Sequence, residues 1–420
     1  MCPVNKINEE SFRHILIVEV SLSGHHPVYL EKIAEAHLKL GRTVTVLVSD
    51  QYLFHSVLVR LSNTYSKLFS IVTLRNDECA KIMKSKLGYV GQEIALWRSF
   101  KNVYRRVNAE RSVDFVFLPY ADYCLNAIGL LGSPFGDCAW SGICMRPAFH
   151  YKDFDVIAPS SKLLHIKRML FNRVMRLSGL TRLFTIDDLL VGYILKRSPG
   201  LEKRLCYLPD PAASPNAYDM SSLRQHYGIP SDVKVVLVYG SIDRRKGIFE
   251  LLDALESSPQ LNEWHVLVVG QQAESVRDAF TSLRWSRLKQ SIRIHEINKF
   301  VSDDVEHRVF ALCDVVWVAY LGHYTMSGVI VRAGMYRKPV IACEEGLIGW
   351  YAKNKRVGVT TQRNSFSIVS ALILLSNSGV ASKMGNSGFA QFGSHSWSKC
   401  LELLSIENPI YSCIQISNRS

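Results

Sequence analysis

The chain has 420 residues, a hydrophobic content of 48% and a formal net charge of +13. This length and apolar content predict a folded protein of two or three domains and exclude a disordered or fibrous chain. The ten cysteines include no CxxC pair and no zinc-finger spacing, so we expect reduced thiols in a cytoplasmic protein. The polar N-terminal residues predict no signal peptide, and no apolar run reaches the length of a membrane span.

The N-terminal half opens with a βαβ pattern. Residues 14–20 are typical of a buried strand, residues 28–40 of an amphipathic helix that stops at Gly41, and residues 43–48 of a second strand. Such a unit favours a parallel sheet whose ligands bind beyond the carboxyl ends of the strands.

The loop after the first strand carries candidate ligand-binding residues. It lacks the GxGxxG pattern, which argues against a dinucleotide-dependent dehydrogenase. Gly24 would let a ligand approach the backbone, with an ordinary turn glycine as the alternative. His25 and His26 can donate to a sugar or a phosphate, with a structural histidine pair as the alternative. We predict a catalytic role for His25.

Further strands of the first half are predicted at residues 115–118, 143–145, 156–158 and 183–186. Asp153 and Asp155 match the DxD pattern of metal-dependent sugar transferases, but so short a pattern arises by chance, and we predict no metal site. Residues 161–184 contain six cations and no acid, interleaved with apolar residues. They resemble a basic amphipathic helix that contacts an anionic membrane, with a solvated helix face as the alternative.

A Pro-rich stretch, YLPDPAASP at residues 207–215, reads as an interdomain linker, after which the α/β alternation restarts. Residues 235–239 form a strand pattern that ends at Gly240, and a helix pattern begins at Ile248. Between them lie Arg244, Arg245 and Lys246, followed by Gly247. Backbone N–H groups, the helix dipole and three cations can converge here, so we predict a phosphate site, with a solvated basic turn as the alternative. We expect Lys246 to be an exposed turn residue.

The remaining pattern continues this second domain. Residues 266–269 form a strand pattern that ends at Gly270, Ser302 is the expected N-cap of a helix with an acidic first turn, and residues 313–319 and 339–342 are further strands. Ser327 and Gly328 mark a helix start that can hold phosphate oxygens, with a simple N-cap as the alternative.

These motifs together resemble the nucleotide-binding half of GT-B glycosyltransferases, specifically retaining glycosyltransferase family 4. The resemblance rests on YLPDP, GSIDRRKG, CDVVWVAY and SGVIVRAGMYRKPVIA followed by GLIG. It covers the second domain well and the first only in architecture. It implies that Lys246 reaches the donor diphosphate, while Ser241 replaces the family's arginine partner. The family's two glutamates, which touch the donor sugar and the ribose, correspond here to Tyr324 and Arg332.

The resemblance implies an α/β fold of two facing Rossmann-like, doubly wound parallel-sheet domains. We predict an acceptor domain at residues 1–206, the linker at 207–215, a nucleotide-sugar domain at 216–395, and a C-terminal helix and tail at 396–420 that return to the first domain. The predicted catalytic residues are His25 and Lys246. The predicted donor-binding residues are Gly24, Gly240, Ser241, Arg244, Arg245, Lys246, Gly247, Gly270, Tyr324, Ser327, Gly328 and Arg332.

The implied function is transfer of a sugar from a nucleotide diphosphate-sugar, as co-substrate, to a glycan or lipid-linked acceptor in glycoconjugate biosynthesis. Retention, no metal and no further cofactor are expected, with Arg244 or Arg245 in place of the missing arginine. The alternatives are a sugar-nucleotide epimerase on a similar fold and a non-catalytic binding protein that lacks the two glutamates. The chain has no recognised RNA- or DNA-binding module, so no nucleic-acid partner is predicted. We predict a cytoplasmic protein, with peripheral contact to the inner face of the cytoplasmic membrane.

Overall fold

The computed structural model describes residues 12–24, 26–74, 88–161 and 163–405. The chain folds into two compact units. The first comprises the described residues of Met1–His150, Ser160–Leu208 and Cys400–Ser420, and the second comprises Tyr151–Pro159 and Pro209–Lys399.

The first unit is built on a sheet in which every strand pair among the described residues is parallel. Its strands, in the spatial order β3-β2-β1-β4-β5-β6-β7, are β1 (His14–Val18), β2 (Thr43–Ser49), β3 (Phe69–Leu74), β4 (Phe115–Leu118), β5 (Ala139–Cys144), β6 (Leu180–Thr185) and β7 (Leu205–Tyr207). Its helices are α1 (His26–Lys39), α2 (Ser56–Thr64), α3 (Gly88–Glu110), α4 (Leu125–Leu131), α5 (Leu163–Val174) and α6 (Asp188–Arg197).

The second unit repeats this plan with a sheet in the order β10-β9-β8-β11-β12-β13. Its strands are β8 (Lys234–Tyr239), β9 (Trp264–Val269), β10 (Ile294–Ile297), β11 (Val315–Val318), β12 (Val340–Cys343) and β13 (Gly358–Thr361). Its helices are α7 (Met220–His226), α8 (Ile248–Ser257), α9 (Glu274–Thr281), α10 (Ser286–Gln290), α11 (Asp303–Leu312), α12 (Gly328–Met335), α13 (Gly346–Asn354), α14 (Ser365–Ser376) and α15 (Ser378–Phe392), and α16 (Trp397–Leu404) follows.

The order of both sheets reverses beside their first strand, β1 in one unit and β8 in the other. The apolar residues of β1 and β8 are buried at successive positions, and therefore on both faces of their sheets. This explains why their sequences show continuous apolar runs rather than alternation. In open parallel sheets, ligands bind at the carboxyl ends of the strands where the order reverses. The prediction of two Rossmann-like parallel α/β domains is confirmed.

Two predicted elements of the first half are wrong. Residues 156–158 form no strand, because the carbonyl of Ile157 accepts from the N–H of Gly346, at 2.8 Å, and so serves the start of α13. This segment belongs to the second unit. The basic helix predicted over residues 161–184 is shorter in the structure, where α5 covers only Leu163–Val174. The last residues of the predicted helix belong to β6, which begins at Leu180 and pairs with β5. Lys162 lies outside the described residues.

Within the described residues, no single helix is long and apolar enough to span a membrane. The consecutive helical stretches 365–376 and 378–404 together have the length and composition of a membrane span, but they are bent by 94° at the break between them. In α14, Ile368, Leu372 and Leu375 are buried in the core of the second unit, which accounts for the apolar composition of that helix.

Candidate functional site

Two glycines end the central strands of the second unit. Gly240 follows β8 with φ +104°, and Gly270 follows β9 with φ +131°. A Cβ on Gly270 would lie 1.8 Å from the carbonyl oxygen of Gly240, so no larger residue fits there. The two strands therefore end side by side, as the sequence predicts for a ligand-binding edge.

The turn after Gly240 is held rigidly before α8 begins. Ile242 is buried and bridges to Gln272, which extends the sheet by one residue. A single 3₁₀ turn over Arg244–Lys246 leads to Gly247, whose φ of +66° is left-handed. A Cβ on Gly247 would lie 2.5 Å from the carbonyl oxygen of Ala319 at the end of β11. The glycine therefore lets α8 start against the neighbouring strand end.

Lys246 is buried, with 5% of its surface exposed, and the expectation of an exposed turn lysine is wrong. Its Nζ donates to the hydroxyl of Tyr320 at 3.0 Å and lies 4.1 Å from the centre of the same ring. Its carbonyl accepts from the indole N–H of Trp317 at 2.8 Å. A Cβ on Gly240 would lie 3.4 Å from the Nζ, so the ammonium lies at the carboxyl end of β8. The left-handed turn at Gly247 and the anchor at Trp317 place Lys246 under the loop rather than in solvent.

No ion pair involves Lys246 in the part of the chain that the structure describes. A buried ammonium without a carboxylate is unfavourable in a protein interior unless an anion completes it. Arg244 and Arg245, beside it, are exposed, and Arg245 lies 5.9 Å from the Tyr320 ring. Ser241 is also exposed. The local charge is positive, and its arrangement suits an anionic ligand.

His323, in the loop after β11, lies near Arg245 and Lys246. Its Nε2 lies 3.2 Å from the carbonyl oxygen of Met326. Burial lowers the pKa of His323, and the charges of Arg245 and Lys246 lower it further. A neutral imidazole beside two cations adds a polar group to the site without adding to the positive charge.

The start of α12 provides the second predicted group. Ser327 is the N-cap, and its side chain accepts from the N–H of Val329 at 3.3 Å. Arg332 on this helix is held by Glu306, with Nε to Oε1 at 2.6 Å, and also donates to the carbonyl of Gly328 at 3.1 Å. Glu306 belongs to the acidic first turn of α11, whose N-cap Ser302 makes no side-chain cap bond.

Tyr239, the last residue of β8, completes this cluster. Its hydroxyl donates to Glu306, and burial together with the nearby Glu306 charge raises the Tyr239 pKa. The carboxylate of Glu306 thus links the end of β8 to α12. Much of the hydrogen-bonding capacity of Arg332 is used within the protein, and its contact with a donor stays a prediction.

Tyr324 lies next to His323 and is half-buried. Its carbonyl accepts from the N–H of Leu347 in the first turn of α13, at 2.9 Å. Gly346 has φ +78°, and a Cβ there would lie 2.7 Å from the carbonyl oxygen of His323. The loop that carries Tyr324 is therefore packed closely on α13.

In the first unit, Gly24 is exposed with φ +61°, and no atom lies within 4 Å of a Cβ built on it. His25 lies outside the described residues. Its neighbour His26 begins α1 and is buried against Glu19, with Nδ1 to Oε1 at 3.0 Å. The His26 ring stacks on Tyr120 with centroids 3.6 Å apart, and its Nε2 lies 3.4 Å from the hydroxyl of Tyr123.

Glu19 is 1% exposed, and burial raises its pKa despite the imidazole beside it. Burial also raises the pKa of Tyr123, to about 12, with a contribution from the charge of Glu19. A carboxyl, an imidazole and a phenol are thus connected at the carboxyl end of β1. Glu19 and Tyr123 could not be identified as site residues from the sequence, because they lie far apart along the chain.

The predicted DxD pair lies on the segment of the second unit that precedes α5. Asp153 and Asp155 are both exposed, and Asp155 has φ +55°. Among the described residues, no group of three or more His, Cys, Asp or Glu side chains is arranged to hold a metal ion.

Comparison with known proteins finds one family model that matches part of the second unit. Residues 233–377 match the family model described as glycosyl transferases group 1. The matched region contains Gly240, Lys246, Ser327 and Arg332, and it spans the whole sheet of the second unit. A search of curated proteins found no match.

Several solved structures share the fold of the chain at low sequence identity. Sucrose-phosphate synthase from Thermosynechococcus elongatus has a TM-score of 0.63 and 14% identity, over 93% of this chain and 97% of that one. HepE from Anabaena, in a complex with UDP, has a TM-score of 0.62 and 15% identity, over 93% and 98%. A glycosyltransferase from Rickettsia africae has a TM-score of 0.62 and 13% identity, over 94% and 97%. Residues 233–377 thus match the group 1 glycosyl transferase model, and the chain as a whole shares the GT-B fold of two parallel α/β sheets with these glycosyltransferase structures.

Proposed function

We propose that the protein transfers a sugar, with retention, from a nucleotide diphosphate-sugar to a glycan or lipid-linked acceptor. The observation that carries this proposal is the buried ammonium of Lys246, which has a tyrosine hydroxyl but no carboxylate beside it among the described residues. The match of this region to the group 1 glycosyltransferase family supports the same assignment. HepE, which shares the fold, was crystallised with UDP, a nucleoside diphosphate.

The chemistry requires a group that stabilises the leaving diphosphate. When the bond between the anomeric carbon and the diphosphate oxygen breaks, negative charge grows on that oxygen. The ammonium of Lys246 and the first N–H groups of α8 are already in place to stabilise this negative charge. Arg245 adds a further positive charge from the loop. In this proposal, these groups stabilise the leaving group without a metal.

The direct test is substitution of Lys246 by Met, with a matched control. Met keeps an apolar stem in the buried site but removes the charged hydrogen bond, which contributes about 1.5 to 3 kcal/mol. We therefore expect kcat/KM, and the affinity for the donor, to fall by roughly 10- to 150-fold. The free energy of unfolding should stay level or rise, because an apolar group replaces a buried cation.

The control is Lys234→Met at the opposite end of the same strand, where Nζ donates to the carbonyl of Ser376 at 2.9 Å. The Lys234→Met variant should leave donor affinity unchanged.

The donor itself is identified first, by a thermal-shift screen of nucleotide diphosphate-sugars, since a ligand at 100 times its Kd stabilises the fold by about 2.7 kcal/mol. Wild-type kcat/KM in Lys246→Met would contradict the diphosphate assignment.

The same assay decides between the alternatives. An epimerase would convert the donor sugar in the absence of any acceptor, and a non-catalytic binding protein would bind the donor without turnover. We expect neither, and we expect transfer to persist in EDTA. Complete loss in EDTA that Mn²⁺ restores would contradict the metal-free mechanism and would make Asp153 and Asp155 candidate ligands.

We further propose that the first unit binds the acceptor and contacts an anionic membrane through α5. This helix exposes Lys167, Arg168 and Arg173 together with the apolar residues Leu163, Ile166 and Met169. Attraction to an anionic surface contributes about 1 kcal/mol per charge and is screened by salt. Binding to anionic vesicles that weakens as salt rises would support this proposal, and salt-independent binding would contradict it.

A further inference from the structure

The first unit contains a cavity of about 100 Å³ beyond the ends of β4 and β5. It is lined from three sides: by the start of α4, by the loop after β5, and by one face of α5. The lining residues include Leu125, Arg146, Phe149, Leu164, Lys167 and Phe171. The cavity has room for several water molecules, a size that suits a phosphate group rather than a whole sugar nucleotide.

Two cations line this cavity from different elements. Arg146 lies in the loop after β5, and Lys167 lies on α5. Within the described ranges, neither forms an ion pair with another residue. A cavity with two unpaired cations favours an anionic ligand, and Arg and Lys are the usual partners of phosphate oxygens.

The nearby acids are already used by the backbone. The two carboxyl oxygens of Asp122, which also lines the cavity, accept from the N–H groups of Met145 and Arg146 at 2.7 and 3.0 Å. Glu93 accepts from the N–H groups of Asn126 and Ala127 at 3.1 and 3.2 Å, which holds the start of α4. Asp122 therefore fixes the loop that carries Arg146, and the two charged groups attract each other without forming an ion pair.

Apart from Asn126, whose side-chain amide donates to Glu93 at 2.7 Å, most of the remaining lining is apolar. Leu125, Leu164 and the rings of Phe149 and Phe171 form it, and the two ring centroids lie 5.2 Å apart. Phe171 is 3% exposed and anchors α5 to the unit. A ligand that places an anion against Arg146 and Lys167 would bring its apolar part against this wall.

Residues adjacent to the lining on α5 expose an apolar surface. Leu163, Ile166 and Met169 are 60, 50 and 63% exposed. Helix α4 packs closely on α5, because a Cβ on Gly129 would lie 2.7 Å from the carbonyl oxygen of Leu170. The exposed side chains of Leu130 and Leu131 on α4 extend this apolar surface. One helix pair thus carries a cationic cavity and a group of exposed aliphatic side chains.

We propose that this cavity binds a phosphate group carried on an apolar chain, with Arg146 and Lys167 on the phosphate and the exposed residues of α4 and α5 against the chain. This inference rests on the proposed function only in making that molecule the acceptor. The binding itself does not depend on the donor site, so the two can fail separately.

The experiment measures binding of octyl phosphate and of inorganic phosphate by calorimetry to the full chain. The cavity variant is Arg146→Gln with Lys167→Gln, and the matched control is Arg105→Gln with Arg106→Gln, which removes the same charge from exposed residues of α3 that do not line the cavity. We expect the cavity variant to bind octyl phosphate at least 10-fold more weakly, and the control to bind it as the wild type does. Inorganic phosphate should bind more weakly than octyl phosphate, because it lacks the apolar part.

A second arm identifies the source of the phosphate. Vesicles that contain phosphatidic acid should retain the wild type, and Ile166→Ser with Met169→Ser should weaken that retention at least 10-fold while leaving inorganic phosphate binding unchanged. Retention that is insensitive to these two residues would overturn the apolar-chain part and point to a soluble phosphate. Equal octyl phosphate affinity in the wild type and the cavity variant, or an equal loss in the control, would overturn the site. Donor-induced thermal shifts in the cavity variant should match the wild type, and absence of any donor response in both proteins would refute the proposed function alone.

Discussion

The two units place buried groups of different chemistry at the corresponding ends of their central strands. At the end of β8, the buried group is a cation, Lys246, which contacts a tyrosine hydroxyl and its ring. At the end of β1, the buried group is a carboxyl, Glu19, which is paired with the imidazole of His26. The two sheets share one plan, but among the described residues only the carboxyl of the first unit lies beside a group that can carry the opposite charge, the imidazole of His26.

This difference supports the proposal that the second unit binds an anionic ligand at the end of its central strand. A buried carboxyl beside an imidazole already has a partner, whereas a buried cation without a carboxylate is stabilised when an anion binds. In the first unit, the unpaired cations instead lie at the cavity beyond β4 and β5, where Arg146 and Lys167 are found. Substitutions in the rigid turn of the second unit and in the ion pair of the first should therefore have different consequences.

The largest expected effect is at Gly247. Ala there would adopt a left-handed conformation, at a cost of about 1 to 2 kcal/mol, and its Cβ would also meet the Ala319 carbonyl oxygen at 2.5 Å. Because backbone on both sides must move, we expect Gly247→Ala to lower the free energy of unfolding by about 4 kcal/mol and to abolish detectable donor binding. Urea denaturation and donor calorimetry measure the two effects.

Gly24→Ala is the matched control in the first unit. Gly24 has a similar φ of +61°, but nothing lies within 4 Å of its Cβ position. Gly24→Ala should lower the free energy of unfolding only by the conformational cost of the left-handed backbone, about 1 to 2 kcal/mol. Equal losses in the two variants would mean that the close approach of α8 to β11 does not determine the turn.

The second unit was the easier one to predict from sequence, for a physical reason. Its strand, glycine and basic turn are consecutive, so the residues that meet at the end of β8 are also neighbours in the chain. The pattern predicted the start of α8 at Ile248 correctly. The burial of Lys246 could not be predicted, because it depends on Tyr320 and Trp317, which follow it by 74 and 71 residues.

In the first unit, almost nothing of the ligand-binding surface is local. The pair of Glu19 and His26 is completed by Tyr120 and Tyr123, which lie after β4 and reach β1 only through the parallel pairing of the sheet. The cavity likewise joins the start of α4 to α5. Sequence periodicity locates strands and helices but cannot show which side chains meet at their ends.

The next prediction concerns the ion pair of the first unit. His26→Ala would leave the Glu19 carboxyl buried without its partner, so we expect the free energy of unfolding to fall by about 3 kcal/mol at pH 8. The loss should become smaller as the pH is lowered, because burial raises the folded-state pKa of Glu19 and protonation removes the unpaired charge. Urea denaturation at several pH values measures this.

In the wild type, Glu19 makes the free energy of unfolding fall as the pH rises. The folded state holds the Glu19 proton to higher pH than the unfolded state does, so this group lowers stability as pH rises from its ordinary pKa through the raised one. Glu19→Gln cannot ionise and should lack that slope, while its amide oxygen can still accept from His26. A slope identical to that of the wild type would mean that Glu19 does not titrate as the structure implies.

The smallest expected effect separates two roles of Ser327 in the second unit. Its side chain accepts from the N–H of Val329, which makes it the N-cap of α12, yet its O–H can still donate to a phosphate oxygen of the donor. Ser327→Ala should lower the free energy of unfolding by about 1 kcal/mol, and Ser327→Gly by only a few tenths, because glycine is tolerated at N-caps. Both variants remove the same hydroxyl, so both should lower donor affinity equally, by about 10-fold for the loss of one hydrogen bond to a charged phosphate oxygen. Thermal unfolding and donor calorimetry on the two variants distinguish the two roles of Ser327. If only the alanine variant loses donor affinity, the loss is caused by the weaker helix, and Ser327 acts only as the N-cap.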